Sequence, residues 1–495
     1  MAEELRHLVK RIIDAGYVLS NDGLEYLRKL NLKDAEEVVD SVISKLKLSS
    51  GSQFIVNYEL MQKTYEEKKR TGETLSPKIQ RKAIASEYEA DVKILEEGET
   101  EPKSSVEGFV DYFRDRFKKI ERLLRERIDV KDATSINQAL EAPVKAQLKI
   151  IGMVTRKTLT GANLILELED LTNAITILVS DQEIVKNCQI ILQDQVVCAA
   201  ITKVSKDLFI LNDIILPDTP IKTAKQSEIP FCSVFLSDLH VGSLLFTDKL
   251  FEKFVKLIKG EIGPISLRKL SSRVKYVAIN GDVVDGIGVY PEQQKELEIT
   301  DVYKQYEKTA SLFANLPDYL EIIVTPGNHD AVRRALPQPP ILKEYAESLY
   351  LDERILMLGN PSRFSLNGVE VLLYHGKSLD DVLSQTPGQN FKNPAKGAEL
   401  LLKSRHLAPI YGASTPLAPE KEDRMVISSI PDVLVTGHIH VFDSRRYKGV
   451  TILSAAPWQN QTSYQKRIGL KPTPGIVSIY DLNNNLLYNI DLMNL

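Results

Sequence analysis

The sequence predicts a multidomain α+β protein with an N-terminal helical module, a small central β-barrel and a large C-terminal α/β domain. Three observations support this prediction. Apolar residues recur at helical spacing in the first 50 residues. They alternate with a period of two between about 145 and 217, which is typical of short strands. Beyond residue 229, short apolar runs alternate with helical stretches, as they do in α/β architectures.

Length and composition narrow the class of protein. The chain has 495 residues, enough for about two to four domains. Its net charge of −4 gives no overall attraction to nucleic acid, so a DNA-binding face would have to be a local basic patch. The three cysteines lack paired spacing, which argues against a disulfide framework and suits a reducing cytosol. No apolar run approaches the roughly 18–20 residues of a membrane span and no secretion signal is recognisable, so we expect a cytoplasmic protein.

The first 104 residues fall into two parts by composition. Residues 1–50 are predicted to form a helical docking module, because their apolar positions share helical faces. The apolar positions of the first helix are Leu5, Leu8, Val9, Ile12 and Ile13. Residues 51–104 are charged, of mixed sign and poor in aromatic residues. Such a segment buries too little apolar surface to offset the entropy of ordering, so we expect a flexible linker.

An amphipathic helix and a connector are predicted for residues 105–143. The apolar stripe of the helix consists of Val106, Phe109, Val110, Phe113, Phe117, Ile120 and Leu124. Lysine and arginine residues on the opposite face could contact phosphates, although a solvated charged face is the simpler interpretation.

Residues 144–217 contain five or six strand-like runs separated by turn residues such as "TGAN". This pattern predicts a small barrel of the OB type. OB barrels often bind single-stranded nucleic acid by stacking bases on aromatic side chains. Because the runs here are aliphatic and Phe209 is nearly alone among them, a structural or docking barrel explains the pattern at least as well.

The domain predicted for residues 229–495 contains five apolar runs that each end in candidate metal ligands. In α/β architectures ligands gather where the carboxyl ends of strands meet, and imidazole, carboxylate and amide oxygen bind transition metals. Five of the seven histidines of the chain fall in these loops. The loops carry, in order, Asp238 and His240; Asp282 and Asp285; Asn328, His329 and Asp330; His375; and His438 and His440.

The candidate ligands are too numerous for a single ion. Two ions that share one carboxylate would use them, and such a pair, about 3.5–4 Å apart, clamps both the attacking and the leaving oxygen of a phosphoryl displacement. Asp282 is the predicted bridge, because it lies in the glycine-bracketed turn "NGDVVDG", which clears the space around it. Mixed imidazole and carboxylate ligation disfavours magnesium and suits manganese, iron or zinc.

The motifs D-x-H, G-D-x-x-D, G-N-H-D, a single His and G-H-x-H, in this order, resemble those of the calcineurin-like metallophosphoesterase superfamily. The resemblance covers residues from about 231 to 441. It implies a sandwich of two mixed sheets flanked by helices. It implies one ion held by Asp238, His240, Asp282 and His440, and a second held by Asp282, Asn328, His375 and His438. By the same resemblance, His329 would protonate the leaving oxygen, Asp330 would orient the imidazole of His329, and Asp285 would hold the turn or a ligand histidine from behind.

Two longer stretches, "INGDVVDGIGVYPEQ" and "SAAPWQNQTSYQKRIGLKPTPG", resemble the small subunits of archaeal family D DNA polymerases. The order of the parts agrees over nearly the whole chain. The resemblance implies a manganese-dependent 3′→5′ proofreading exonuclease that releases 5′-mononucleotides from DNA. It also implies assembly with a large catalytic polymerase subunit, as a heterodimer or higher assembly, and leaves contact with a sliding clamp open.

Contacts with DNA are predicted near the last ligand loop. Arg445 and Arg446 in "DSRRYKG" could bind the phosphate backbone. Tyr464 and Trp458 could stack on a frayed terminal base. Three alternatives stay open: a stand-alone repair nuclease or phosphodiesterase of the same superfamily, a protein phosphatase, and a non-enzymatic scaffold subunit. The complete ligand set argues against the last of these.

Overall fold

The computed structural model describes residues 2–15, 17–48, 55–72, 83–96 and 105–495. The chain divides into two compact units, Met1–Arg81 and Lys82–Leu495. Among the described residues, no helix combines the length and the apolarity that crossing a membrane requires.

The first unit consists mainly of helices. They are α1 (Ala2–Asp14), α2 (Asn21–Lys29), α3 (Leu32–Leu48) and α4 (Tyr58–Gly72), and the short strands β1 (Val18–Leu19) and β2 (Ile55–Val56) pair in parallel. The α2 helix begins after Ser20, whose hydroxyl accepts a hydrogen bond from the Gly23 amide. The helices bury a small aliphatic core that includes Leu8, Ile12 and Val42.

Part of the segment expected to be a flexible linker, 51–104, is instead ordered. It contains β2, α4, a short 3-10 helix (Ile84–Ser86) and β3 (Val92–Glu96). These pieces are ordered because a few apolar side chains in an otherwise charged segment are fully buried, Met61 on α4 and Ala85 in the 3-10 helix among them. Residues 51–54, 73–82 and 97–104 of the expected linker lie outside the described residues.

After the 3-10 helix and β3, the second unit continues with a helical connector and a closed five-stranded barrel. The helices are α5 (Val106–Arg125), α6 (Ile136–Glu141) and α7 (Gln182–Gln189); the strands are β4 (Gln147–Thr160), β5 (Asn163–Glu169), β6 (Ala174–Val179), β7 (Val196–Lys203) and β8 (Phe209–Ile215). The strand order around the barrel is β4-β5-β6-β8-β7. Alternate residues of each strand point inward, as the period-two pattern predicts, and fill the barrel with aliphatic side chains.

The α5 helix buries the C-terminal half of its predicted apolar stripe, Phe117, Ile120 and Leu124, but the buried surface also extends beyond the stripe. Val106 and Val110, at the start of the stripe, are exposed, whereas Tyr112 and Arg116 are completely buried. The arginine is tolerated inside because its Nε donates to the carboxylate of Asp423 at 2.7 Å. Ion pairing with a residue 307 positions away therefore adds Arg116 to the buried surface, which periodicity alone does not indicate.

The remainder of the second unit is built on two six-stranded sheets. The first has the order β12-β11-β10-β9-β18-β19, and the second has the order β16-β17-β15-β14-β13-β3. The strand bounds are β9 (Cys232–Leu236), β10 (Val274–Asn280), β11 (Glu321–Thr325), β12 (Ile355–Met357), β13 (Ser362–Leu366), β14 (Val369–Leu373), β15 (Val433–Thr436), β16 (Asp443–Tyr447), β17 (Val450–Ser454), β18 (Ile476–Asp481) and β19 (Leu486–Asp491). Their inner faces share one hydrophobic core, to which Phe235, Tyr276, Val371 and Val435 contribute.

Helices cover the outer faces of the two sheets. Residues of α8 (Asp248–Ile258), α9 (Ile265–Ser271), α10 (Val302–Phe313) and α11 (Lys343–Tyr350) share a core with the first sheet. Residues of α5, α12 (Leu379–Gln385) and α13 (Pro394–Ser404) share a core with the second. A short last helix, α14 (Ser463–Ile468), precedes β18.

This topology brings the five predicted ligand loops together. The strands β9, β10 and β11 are parallel neighbours in the first sheet, and β14 and β15 are parallel neighbours in the second. Each of these five strands ends immediately before one of the loops. Because the carboxyl ends of parallel strands meet at one edge of a sheet, the loops converge at one end of the sandwich.

Candidate metal centre

The loops place the predicted metal ligands in two adjacent clusters. One consists of Asp238, His240 and His440, and the other consists of Asp282, His375 and His438. Within each cluster the potential ligand atoms lie within 4.8 Å of one another. Apart from the shared Asp282 and the amide of Asn328, these are the two ligand sets that the sequence resemblance implies.

Asp282 lies between the two clusters. Its Oδ2 atom is 3.2 Å from His375 Nε2 in one cluster and 3.6 Å from His240 Nε2 in the other. Its Oδ1 atom accepts a hydrogen bond from the backbone amide of His329 at 2.9 Å. One oxygen is therefore placed between imidazoles of both clusters, and the other fixes the carboxylate to the following loop.

Hydrogen bonds on the far side of the rings set the tautomers of three histidines. His240 Nδ1 donates to Asp285 Oδ1 at 3.0 Å, and His375 Nδ1 donates to the Asn280 carbonyl at 2.9 Å. In the neutral form of each of these rings, Nε2 is then the unprotonated nitrogen. His438 is held the other way round, because its Nε2 donates to Asp380 Oδ2 at 2.9 Å and Nδ1 remains unprotonated. Metal-ligating histidines are usually oriented in this manner.

His440 differs from the other three. Gln465 Nε2 donates to His440 Nδ1 at 2.9 Å. The side-chain oxygen of Gln465, Oε1, accepts a hydrogen bond from the backbone amide of Thr462 at the start of α14. The proton of the neutral ring is then on Nε2, 3.0 Å from His240 Nε2. Ligation of an ion through this nitrogen requires that the proton leave or that the Gln465 amide turn.

Two unsatisfied buried atoms test whether these residues suit a cation. Across the described part of the chain, His375 Nε2 and Asn328 Oδ1 are among the few buried side-chain atoms without a hydrogen-bond partner. A buried acceptor without a partner costs about 1–3 kcal/mol, and both atoms belong to the same implied ligand set. The donor set of carboxylate, imidazole and amide oxygen therefore fits a divalent transition-metal ion.

The backbone of the site is in an unusual conformation. Asp238, His240, Asp282, His438 and His440 all have positive φ values, between 50° and 67°. A left-handed conformation of a non-glycine residue costs of order 1 kcal/mol or more and tends to occur at functional sites. Five such residues in three loops indicate that the geometry of these side chains is maintained at the expense of local stability.

Glycines clear the space around the acids. A Cβ atom on Gly327 would lie 2.1 Å from Asp282 Oδ1, and one on Gly437 would lie 2.6 Å from Asp238 Oδ2. The glycines of the G-N-H-D and G-H-x-H motifs therefore allow neighbouring loops to approach the two carboxylates closely.

The acids remain ionised although they are buried. Burial opposes the charge on Asp282, but the surrounding imidazoles, His375 first, hold the pKa of Asp282 well below its ordinary range. Burial also disfavours a charged His375, yet the Asp282 carboxylate outweighs that effect and raises the pKa of His375 to about 9. Burial lowers the pKa values of His240 and His438, which favours the neutral imidazoles that bind metals. The site is thus a buried anionic cluster that attracts positive charge.

His329 lies beside the clusters, as predicted, but its ring is oriented by a different group. The ring centroids of His329 and His240 are 4.6 Å apart, and His329 Nδ1 donates to the backbone carbonyl of Asp285 at 2.8 Å. The expected contact between Asp330 and this imidazole is therefore wrong. Asp330 instead accepts hydrogen bonds from the amides of Gly327, Val283 and Val284. It ties two ligand loops together, and burial, followed by the charge of Asp282, raises its pKa to about 6.

Asp285 lies behind His240, where the sequence placed it. Besides the His240 ring, its carboxylate accepts hydrogen bonds from the side-chain amides of Gln293 and Gln459, each at 3.0 Å. These bonds keep the carboxylate fixed as an acceptor for the histidine.

The residues predicted to contact DNA differ in their surroundings. Arg445 forms an ion pair with Glu399 at 2.8 Å, and Arg446 donates to the Asn485 carbonyl, so both guanidinium groups are engaged within the chain. Trp458 is 1% exposed and belongs to the hydrophobic core beneath the first sheet, which makes the expected stacking on a base wrong for this residue. Tyr464 is 55% exposed and directly precedes Gln465, the residue that contacts His440.

Sequence reasoning missed several residues that position the ligands. Asp380 lies in a segment without a recognisable motif. Gln293, Gln459 and Gln465 lie in the two longer stretches that resemble the small subunits, but no pattern there marks them as partners of the histidine loops. Asn280 could have been found, since it begins the "NGDVVDG" turn. Its side-chain amide donates to the carbonyls at the ends of β14 and β15, Tyr374 and Val435, and so joins the two sheets at the site.

Comparison with known proteins identifies the family. The family model for the B subunits of DNA polymerases alpha and epsilon matches residues 233–444. The DNA polymerase II small subunit of Archaeoglobus fulgidus is 37% identical and covers 96% of this chain and 95% of its own length. That of Methanothermobacter thermautotrophicus is 36% identical, with 96% and 98% covered. That of Pyrococcus horikoshii is 38% identical, with 77% of this chain and 61% of that protein covered.

Solved structures give a weaker match. Vps29 of Entamoeba histolytica, complexed with Zn²⁺, covers 53% of this chain and 99% of its own at 13% identity and a TM-score of 0.25, a score too low to support an argument. The relatives matched over nearly their full length are decisive. The chain belongs to the family of DNA polymerase II small subunits, the small subunits of the archaeal family D DNA polymerase.

Proposed function

We propose that the chain is a two-metal 3′→5′ proofreading exonuclease that acts within a DNA polymerase, next to a large catalytic subunit. One observation carries the proposal: two clusters of potential metal ligands adjoin, and Asp282 of one cluster lies 3.6 Å from His240 of the other and accepts the backbone amide of His329. A pair of ions with a shared carboxylate is suited to phosphodiester hydrolysis. The association with a large subunit rests on the name of the relatives, which are small subunits.

The proposed ligands follow the two clusters. Asp238, His240, Asp282 and His440 would hold one ion, and Asp282, Asn328, His375 and His438 would hold the other. When bound, the ions would neutralise the phosphate and activate water, and manganese suits the mixed ligand set, with iron or zinc as alternatives. The protein contributes the fixed positions of these donors, which the left-handed backbone and the hydrogen bonds behind the rings maintain.

His329 is the proposed general acid. The Asp285 carbonyl holds the Nδ1 proton of His329, so in the imidazolium form the Nε2 proton is the one available to a substrate. Hydrolysis of the terminal phosphodiester consumes one water and breaks the bond between phosphorus and the 3′ oxygen. His329 would give its Nε2 proton to that oxygen, which yields a 5′-mononucleotide and a shortened strand.

DNA would be held by groups outside the metal centre. Tyr464 offers an exposed ring for the terminal base, and the guanidinium of Arg467 lies 5.6 Å from the ring centroid. Arg445 and Arg446 are weaker candidates, since reaching a phosphate would require them to give up their partners in the chain. The barrel is proposed to be of the OB type, which its closure and the helix between its third and fourth strands support.

The test is nucleotide release from a 3′-mismatched primer in manganese, with the chain assembled with a large subunit. We expect mononucleotides from the wild type and a loss of at least about 100-fold with Asp282→Asn, because the shared ligand is weakened. Asp352→Asn serves as a control for the same change of side chain, because Asp352 is a partly buried acid outside both clusters and pairs with Arg354. Absence of manganese-dependent release from the wild type would contradict the proposal, and so would an active Asp282→Asn variant.

A further inference from the structure

One ligand histidine is held by a carboxylate that lies outside all five ligand loops. His438 Nε2 is 2.9 Å from Asp380 Oδ2, and the same oxygen accepts a hydrogen bond from Lys377 Nζ at 2.8 Å. Asp380 is on α12, 58 residues before His438 in the chain. We propose that Asp380 is a positioning residue, which holds His438 in the tautomer that can bind an ion and thereby sets the affinity of the Asp282–His375–His438 cluster for metal.

The ring nitrogens of His438 have different environments. Asp380 engages Nε2, so Nδ1 is the nitrogen left to ligate a cation beside Asp282 and His375. In a neutral imidazole only one nitrogen is protonated, and only the other can bind a metal. A carboxylate acceptor at Nε2 therefore selects the tautomer with a free lone pair on Nδ1 and increases the basicity of that nitrogen.

The backbone of His438 is already fixed. Its amide donates to both oxygens of Asp238, each at 3.0 Å, and its φ value is 67°. What remains free is rotation of the ring, which would exchange the two nitrogens. Asp380 opposes this rotation, and Lys377 in turn restrains Asp380.

Asp380 is suited to substitution because it is not part of the core. Its side chain is 32% exposed, whereas Asp285, which holds His240 in the same way, is completely buried. Removing Asp380 should therefore leave the fold intact. If Asp380 served only to pair with Lys377, this surface ion pair would contribute about 0–1 kcal/mol to the stability of the fold. Its removal would then have little effect on the metal affinity of the site.

The experiment is a calorimetric titration of MnCl₂ into the full chain after chelator treatment, which reads metal affinity without reference to catalysis. In Asp380→Ala we expect the dissociation constant of one of two ions to rise by roughly 10–100-fold. Asp380→Asn should retain much of the affinity, because its amide oxygen still accepts the Nε2 proton. Asp352→Ala is the control, an acid 24% exposed and paired with Arg354, and should bind manganese like the wild type.

The outcomes separate this inference from the proposed function on which it rests. Unchanged affinity for both ions in Asp380→Ala would overturn the role of Asp380, even if the wild type is an active nuclease. Equal losses in Asp380→Ala and Asp380→Asn would also contradict it, since the conservative variant keeps the acceptor. A wild type that binds two ions but releases no nucleotide would overturn the nuclease and leave Asp380 in its role. A wild type that binds no manganese would overturn both.

Discussion

His406, a buried histidine outside the metal centre, is expected to make the second unit sensitive to acid. Its side chain is 1% exposed. Nδ1 accepts a hydrogen bond from the Ala408 amide at 3.0 Å, and Nε2 donates to Asp423 Oδ2 at 2.9 Å. With both nitrogens used in this way the ring is neutral, and a second proton would cost the bond from Ala408. The same Asp423 oxygen accepts the Nε–H of Arg116.

The size of the effect follows from the pKa of this imidazole. Burial first, and then the positive charge of Arg116, lower the pKa of His406 from 6.5 to about 4. The unfolded chain therefore binds a proton below pH 6.5, whereas the folded chain does not until about pH 4. The contribution to stability is complete above pH 6.5 and is lost as the pH falls toward 4. At roughly 1.4 kcal/mol per pH unit, the loss amounts to about 2.5 kcal/mol at pH 4.5.

The assay is urea unfolding at pH 7.5 and pH 4.5 in the presence of chelator, for the wild type and for His406→Gln. Glutamine can donate to Asp423 and accept from the Ala408 amide but does not titrate. Trp458, the one tryptophan of the sequence, is buried in this unit, so its fluorescence reports this unit rather than the first. When the pH is lowered from 7.5 to 4.5, the unfolding free energy of the wild type should therefore fall by about 2.5 kcal/mol more than that of the variant. A parallel decline in both proteins would refute the reasoning.

Three further predictions concern single contacts. Gly327→Ala places a Cβ atom 2.1 Å from Asp282 Oδ1. Nuclease activity should therefore fall by at least about 100-fold, while Trp458 fluorescence still reports a folded unit. Full activity in steady-state kinetics would contradict the packing argument. Tyr464→Ala should raise KM for single-stranded 3′ ends by about 10-fold with little change in kcat, because stacking of one base on an aromatic ring contributes about 1–3 kcal/mol to binding. An unchanged KM would show that the Tyr464 ring does not bind the DNA end. Asp423→Ala leaves Arg116 buried without its partner and should cost about 3–5 kcal/mol in urea unfolding, and a loss below about 1 kcal/mol would show that solvent or another group takes over the charge.

The residues of the two clusters could be predicted because each closely follows an apolar run. A short segment of sequence then contains both the end of a strand and the chemistry of the donor, and parallel strands bring such ends together. The same reasoning placed Asp282 between the two clusters, since glycines flank it in the sequence. The left-handed backbone at Asp238, His240 and Asp282 was not predictable, because nothing local requires it of aspartate or histidine.

The sequence-based predictions are wrong or incomplete where contacts between residues far apart in the chain determine the structure. Asp380 and Gln465 reach their histidines over 58 and 25 residues, which no local pattern reveals. Trp458 follows a ligand loop, which left open both stacking on a terminal base and a place in the core; its indole packs edge-on against Phe251 and Phe254. Asp330 was assigned to the neighbouring histidine because they adjoin in the chain, whereas its carboxylate turns back to the amides of two loops.

The central claim is that Asp282 joins two divalent ions, and anomalous diffraction from crystals soaked in manganese tests it most directly. We expect two manganese peaks about 3.5–4 Å apart, one against Asp238, His240 and His440 and the other against Asn328, His375 and His438, with the Asp282 carboxylate between them. A single peak, or peaks that leave Asp282 without an ion on either side, would contradict it.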